Sequence, residues 1–318
     1  MPVGVICHLH NASFADVRAL AEAAESAGAD WLGLPDAFWW RDTWLLLAEA
    51  ARATTHLEIG PMVTNPYLRH PFHTVAAVAT LQDLAGPRVI VGLGAGGSEV
   101  SGAAGVSRRD APARVRALTT LLRDVAAGQP LDPASGRTLE VPVQPTAVLI
   151  AGRGNGMLDV AGRCADRAML WAVPQSDLQR SASVIAAGAV AGREAPGQRP
   201  DLVWAPLVDH GYRSRAQVRT IAAYSVLNSH PAVQGRWGLD PAKLGRLRQL
   251  LVGGGAAAAQ ELVPTAALDD LIIQDPDPVQ VGEFAAELGA TSLALPAFSI
   301  DEVAGRVAWA REVLGPRG

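Results

Sequence analysis

The chain is poor in the residues that build cross-links and metal sites. It has two cysteines in 318 residues, Cys7 and Cys164, far apart and in apolar surroundings. They fit neither a disulfide framework nor a zinc site, and they read as small buried hydrophobes. HExxH, paired CxxC and His–carboxylate clusters are missing, so no catalytic metal is expected. GxSxG and the Walker glycine loop are missing too. No apolar run approaches the ~20 residues that span a bilayer. The amino-terminal MPVGVICHLH lacks the basic and long apolar segments of a secretory signal, so a cytoplasmic protein is expected. Lysine is nearly absent, Lys243 being the only one among 27 basic residues, and the net charge is −4. That balance gives no case for nucleic acid or a membrane surface as partner, which leaves a small molecule.

What is present is an apolar chain, 49% hydrophobic, in which strand and helix signals alternate from end to end. Strands are expected at 3–7, 31–34, 59–63, 89–91, 147–151, 167–172, 202–208 and 292–295. The helices between them are expected at 13–27, 43–53, from Pro71 to about residue 84, at 111–126, from about residue 155 toward Asp166, at 176–191, 279–288 and 300–314. Ser13 can cap the first helix, with Asp16 near its favourable end. Pro71 suits a first helical position, where a missing N–H costs nothing. Residues 96–110 read as a polar, glycine-rich loop, and 131–141 as a loop with a short hairpin. The stretch 213–264 is helical and too long for one crossover, so it reads as an insertion. Gly253-Gly254-Gly255-Ala256 is either a hinge or an ordinary surface loop.

Eight strands alternating with helices predict an α/β fold, a parallel sheet closed into a (β/α)8 TIM barrel with insertions, as one domain over 1–318. The structural alternative is an open doubly wound sheet. Against it, the first strand lacks a GxGxxG turn and the acidic residue that follows one. In a barrel the site lies at the carboxyl ends of the strands. Chain order then selects His8 and His10, Asp36 to Trp40, Met62 to Asn65, Gly94 to Glu99, Gly152 to Asn155, Trp171 to Val173, His210, and Pro296 to Phe298.

The most specific block runs from Ile59 to Gly97, IGPMVTNPYLRHPFHTVAAVATLQDLAGPRVIVGLGAGG. Its elements GPMVTNPYLRHP, ATLQDLAGPR and VGLGAGG resemble the bacterial luciferase-like superfamily of flavin and deazaflavin enzymes. The likeness is greatest to the branch typified by methylenetetrahydromethanopterin reductase, which uses coenzyme F420. It is strongest over these forty or so residues and weaker over most of the chain. The resemblance implies an oxidoreductase that transfers hydride between F420 and a small molecule. It also implies a homodimer, for which the apolar second and third helices would suit.

The resemblance carries roles to particular positions. Met62, Val63, Thr64 and Asn65 match the third-strand signature, where relatives have a cis non-prolyl peptide behind the deazaflavin ring; by position it is Met62–Val63. Gly94, Ala95 and Gly96 match the fourth-strand turn, where absent side chains let backbone approach a flat ring or its tail. Asp36 stands where relatives have an aspartate near cofactor or substrate. The sugar-dehydrogenase branch has a histidine after that aspartate and a glutamate after the glycine turn. Here Ala37 and Gly97 occupy those places and Glu99 is shifted, which favours reduction of a C=C or C=N bond over sugar oxidation.

The residues themselves add candidates. Gly152, Arg153, Gly154 and Asn155 precede a helix at a strand's carboxyl end, where amides attract phosphate; a plain helix-initiating loop is the alternative. Trp39 and Trp40 could wall the substrate pocket or pack on the rim. His8 and His10 share one side of the first strand, and either could give a proton; with Asp36 they are the candidate catalytic groups. Glu99 and His210 are weaker pocket candidates. Arg108-Arg109-Asp110 reads as a solvated helix entry, or a clamp for an anionic substrate. FMN is the alternative cofactor, in a luciferase-like monooxygenase. A barrel that binds a cofactor without turnover is the non-enzymatic alternative.

Overall fold

The computed structural model describes residues 1–9, 11–192, 198–209, 212–274 and 276–315. Its strands are β1 (Val3–Cys7), β2 (Trp31–Leu34), β3 (Glu58–Pro61), β4 (Ile90–Leu93), β5 (Ala147–Ala151), β6 (Arg167–Trp171), β7 (Asp201–Ala205), β8 (Leu207–Asp209), β9 (Ile272–Gln274) and β10 (Ser292–Ala297). Eight of them form one parallel sheet in the order β3-β2-β1-β10-β7-β6-β5-β4. Its two ends meet. Ile59 bridges Val89 and Thr64 bridges Leu93, the Thr64 N–H donates to Gly92 O at 2.9 Å, and the Gly94 N–H donates to Thr64 O at 3.0 Å. The sheet is therefore a barrel, not the open doubly wound alternative.

The helices are α1 (Phe14–Ser26), α2 (Thr43–Ala53), α3 (Pro71–Ala85), α4 (Ser98–Ala103), α5 (Ala111–Ala126), α6 (Asn155–Cys164), α7 (Gln175–Gly192), α8 (Tyr212–Asn228), α9 (Pro231–Arg236), α10 (Pro241–Val252), α11 (Ala256–Glu261), α12 (Thr265–Leu271), α13 (Pro278–Leu288) and α14 (Val303–Leu314). Local chemistry sets their starts. Ser13 and Asp16 form a reciprocal capping box on α1, and the Asp42 carboxylate accepts the Trp44 and Leu45 N–H groups at the start of α2.

The barrel interior is a packed plug built from Trp31, Met62, Ile90, Leu149, Met169 and Val203, among others. Close approach there requires glycine. A Cβ on Gly4 would lie 2.0 Å from the Trp31 indole, and one on Gly33 2.0 Å from Met62 Cγ. A larger apolar layer lies between the strands and the surrounding helices. Among the described residues no helix is long and apolar enough to cross a membrane.

The amino end of the barrel is tied by ion pairs and strand-start carboxylates. Arg167 and Glu58 open β6 and β3, which are not neighbours in the sheet, and they pair through two bonds of 2.7 and 3.1 Å. Asp30 precedes β2 and accepts the Val3 N–H at 2.6 Å; Asp166 precedes β6 and accepts the Val148 N–H at 2.8 Å. Arg311 donates to Asp30 at 2.6 Å.

Several expectations change. The third strand stops at Pro61 rather than Val63. The expected loop 96–110 contains α4. The expected hairpin at 131–141 is one antiparallel bridge, Asp132 to Arg137. The expected seventh strand divides at Pro206, which has no N–H to give a ladder. Its second half, β8, leaves the barrel and pairs with β9, Leu207 opposite Ile272. The expected insertion, 213–264, falls within the span 207–274, from β8 to β9, which stands outside the eight-stranded sheet. It has its own apolar cluster, including Val218, Val226, Trp237, Leu247 and Leu271. Gly253–Gly255 is the short turn between α10 and α11.

Candidate active site

A cavity of about 500 Å³ opens at the carboxyl ends of the strands. His8, Asp36, Trp39, Trp40, Met62, Val63, Gly94, Ala95, Gly96, Gly152, Arg153 and Gly154 all line it. The sequence-predicted residues from five strand ends thus come together in one place. The Met62–Val63 peptide is cis, at the position expected. Gly96 has φ +75°, which suits glycine at the tight turn after β4.

Three expected cofactor residues, Thr64, Asn65 and Asn155, adjoin the cavity without being among its lining residues. Thr64 is buried, with its backbone in the β3–β4 seam. Asn65 is also buried, and its Oδ1 accepts the Tyr67 and Leu68 N–H groups at 3.1 Å each, an Asx turn that shapes the loop. The Asn155 side chain accepts from Arg180. Glu99 falls in the first turn of α4. His10 and His210 lie outside the described residues.

Arg153 lines the cavity and also makes bonds that the sequence did not show. Its guanidinium donates to Trp171 O at 3.0 and 3.2 Å, and to Ser225 O and Oγ at 3.3 and 3.1 Å. It clasps α8 of the insertion to the end of β6. The neighbouring α6, ten residues long, begins at Gly154 with no side-chain cap on its first amides. That uncapped end stands beside the cavity, since Gly152, Gly154 and Met157 line it.

The insertion supplies a wall that the strand-end rule could not select. Ile221, Tyr224, Ser225 and Asn228 of α8 face the cavity. Their i, i+3, i+4, i+7 spacing is one helix stripe, a signal present in the sequence but without a partner to aim it at. Arg108 also lines the cavity, donating to Gly96 O at 2.6 Å. It belongs to the site rather than to a wholly solvated helix entry.

The two described candidate catalytic groups have shifted protonation. Burial pushes the His8 imidazole down to about 4, and the Arg306 charge acts in the same direction. At neutral pH His8 is uncharged, so it offers a hydrogen bond rather than a stored proton. Burial raises the Asp36 carboxyl, opposed by a Thr64 hydrogen bond and the Arg69 charge, while Asp42 adds to the rise. Trp171 stacks on His8 at 5.3 Å between centroids, nearly parallel at 12°. Phe38, Trp39 and Trp40 form an edge-to-face series and stay 39–53% exposed.

A parallel eight-stranded barrel with its chemistry-bearing side chains at the carboxyl ends defines the class as a TIM-barrel enzyme scaffold. The family model described as luciferase-like monooxygenase matches residues 1–290, and the chain belongs to that family. It is 25% identical over 230 residues to a 5,10-methylenetetrahydromethanopterin reductase of Methanolobus tindarius, covering 70% of this chain and 71% of that one. The solved coenzyme F420-dependent tetrahydromethanopterin reductase of Methanopyrus kandleri superposes with a TM-score of 0.78 at 20% identity, over 98% of this chain and 97% of that one. An F420-dependent secondary alcohol dehydrogenase, solved with an F420–acetone adduct, gives 0.76 at 18% identity, over 99% of both chains.

Proposed function

We propose that this protein is an F420-dependent oxidoreductase that delivers hydride to a C=C or C=N bond of a small molecule. The observation that carries the reading is the joint lining of one cavity by Met62 and Val63, the side-chain-poor turn Gly94–Gly96 and the open amino end of α6. These features fit a flat ring with a phosphate-bearing tail. Met62 and Val63 would back the ring, Gly94 to Gly96 would admit it closely, and the first amides of α6 beside Gly152 and Gly154 would take the phosphate. Arg153 would hold the α8 wall rather than the phosphate. When bound, the deazaflavin supplies hydride at C5, and the chain supplies orientation and a dry pocket.

Reduction is favoured over alcohol oxidation by two cavity residues. Ala37 and Gly97 both line the site, and neither side chain can move a proton. Uncharged His8 would donate or accept a hydrogen bond at the substrate's polar atom, while Asp36, with its raised carboxyl, is the remaining acid. Trp39 and Trp40 would cover the substrate at the mouth.

The family's description as monooxygenases supports a second reading, oxygenation with reduced FMN. One assay separates the two. The protein is mixed with reduced F420 and a panel of enones and cyclic imines, and separately with reduced FMN and oxygen. Acceptor-dependent recovery of oxidised F420 absorbance supports the reductase. Substrate-dependent oxygen uptake with FMN alone overturns it. Cofactor binding without turnover in either arm would leave a binding protein.

A further inference from the structure

A row of four side chains crosses the carboxyl end of the barrel. The Arg306 guanidinium of α14 lies 5.4 Å from the centre of the Phe298 ring, just past β10. Phe298 leans on His8 at 5.7 Å and 46°. His8 stacks on Trp171, at the end of β6, at 5.3 Å and 12°. Arg306 is 4% exposed, paired to Glu302 at 3.1 and 3.2 Å, and its Nη1 has no hydrogen-bond partner. Leaving a buried guanidinium donor unmet is costly. Glu302 Oε2 also accepts the Phe298 N–H at 3.3 Å, so one carboxylate fixes both the arginine and the backbone that carries the ring.

We propose that Arg306 is a positioning residue for His8: a buried cation which, through Phe298, holds the imidazole in one plane against Trp171 and facing the cavity. The positive charge in a low-dielectric surrounding disfavours a second one nearby. The effect on His8 adds to that of burial. Glu302, just before α14, and Asp209 of β8 act on Arg306. Asp36, Arg108, Arg153 and Tyr224 are the other titratable side chains on the cavity wall among the described residues. The neighbouring Cys7 thiol is pushed up to about 11 by burial and stays protonated. The inference rests on the proposed function only for what His8 meets. Its test is made on the full chain without cofactor, so failure of F420 to bind leaves it standing.

The test is an NMR titration of ¹⁵N-histidine-labelled protein, with the His8 signal assigned by its loss in His8→Asn. In the wild type His8 is expected to stay neutral down to about pH 4. The double substitution R306M/E302Q removes both charges together, avoiding a lone buried carboxylate, and should raise the His8 midpoint above the wild-type value while burial keeps it below 6.5. Arg306→Lys keeps the charge and should hold the midpoint low. A wild-type midpoint near 6.5 overturns the proposal without any variant. So does an unmoved midpoint in the double variant, or a rise in Arg306→Lys equal to that in the double variant.

Discussion

At the amino end of the barrel, Arg167 meets Glu58 through two bonds, and Asp30 and Asp166 each accept an N–H from the strand beside them. At the carboxyl end, Arg306 keeps an unmet donor, His8 is held uncharged, Asp36 resists ionisation and three aromatic rings in a row face solvent. At one end the carboxylates are met by an arginine or by strand amides, and at the other burial shifts the titratable groups that line the cavity. Barrel enzymes separate stability from chemistry in this way, with the scaffold below and the site above. Substitutions at the two ends should therefore fail differently: the amino end and seam through stability, the carboxyl end through binding.

The largest contrast is between two glycines of adjoining strand ends. A Cβ on Gly60 would lie 1.8 Å from the Ile90 carbonyl oxygen, backbone against backbone at the seam. Gly60→Ala should cost roughly 3 kcal/mol or more, read by urea unfolding. A Cβ on Gly94 would meet Val63 Cγ2 at 2.7 Å, and a side chain can turn aside. Gly94→Ala should cost less than about 1.5 kcal/mol, yet weaken F420 binding by about tenfold because its methyl enters the turn that the ring approaches. Equal stability losses in both would erase the distinction.

The next effect is a pH dependence that belongs to the carboxyl end. His8 has a folded midpoint of about 4 against an ordinary 6.5. The unfolded chain therefore takes up the proton first as pH falls. Stability from this group is complete above 6.5 and is lost progressively between 6.5 and 4, about 3 kcal/mol in all. His8→Asn should flatten that part of the curve, with unfolding free energies at pH 7 and pH 5 as the comparison. An unchanged slope would mean that His8 is not held neutral.

A smaller loss is expected at the amino end. Arg167→Met leaves Glu58 half-buried and unpaired, costing about 1–2 kcal/mol, with F420 affinity unchanged. The smallest stability effect is at the mouth. Trp39 is 46% exposed, so Trp39→Ala should move unfolding by less than about 0.5 kcal/mol, while raising KM for an acceptor several-fold and sparing cofactor affinity. If F420 affinity falls with it, the tryptophan contacts the cofactor rather than the substrate.

Much of this division was legible in the residues. The spans of β1, β2, α2, α5 and β5 follow from apolar period and punctuation alone, since each lies between clear capping or glycine signals. Met62–Val63 and the Gly94 turn were legible through the family motifs that carry them, GPMVTNPYLRHP and VGLGAGG. The departures share another cause, interactions whose partner is distant in sequence. Pro206 divides a strand whose second half finds β9 sixty-five residues later. The α8 stripe gains meaning only once Arg153 fastens it to β6. Arg153 was legible as a cation in a glycine loop that lines the cavity, whereas its bonds to Trp171 and Ser225 depend on partners distant in sequence. Arg306 gave no signal, being one arginine on an amphipathic helix until the fold buries it behind Phe298.

The most direct test of the central claim is a paired fluorescence and absorbance titration of wild-type protein and Gly94→Ala with oxidised F420 and, separately, FMN. The account predicts micromolar or tighter F420 binding by the wild type, weaker FMN binding, and about tenfold loss for F420 in Gly94→Ala at near-wild-type stability. Preferential binding of FMN, or F420 binding that Gly94→Ala leaves unchanged, would contradict the assignment of this cavity to the deazaflavin.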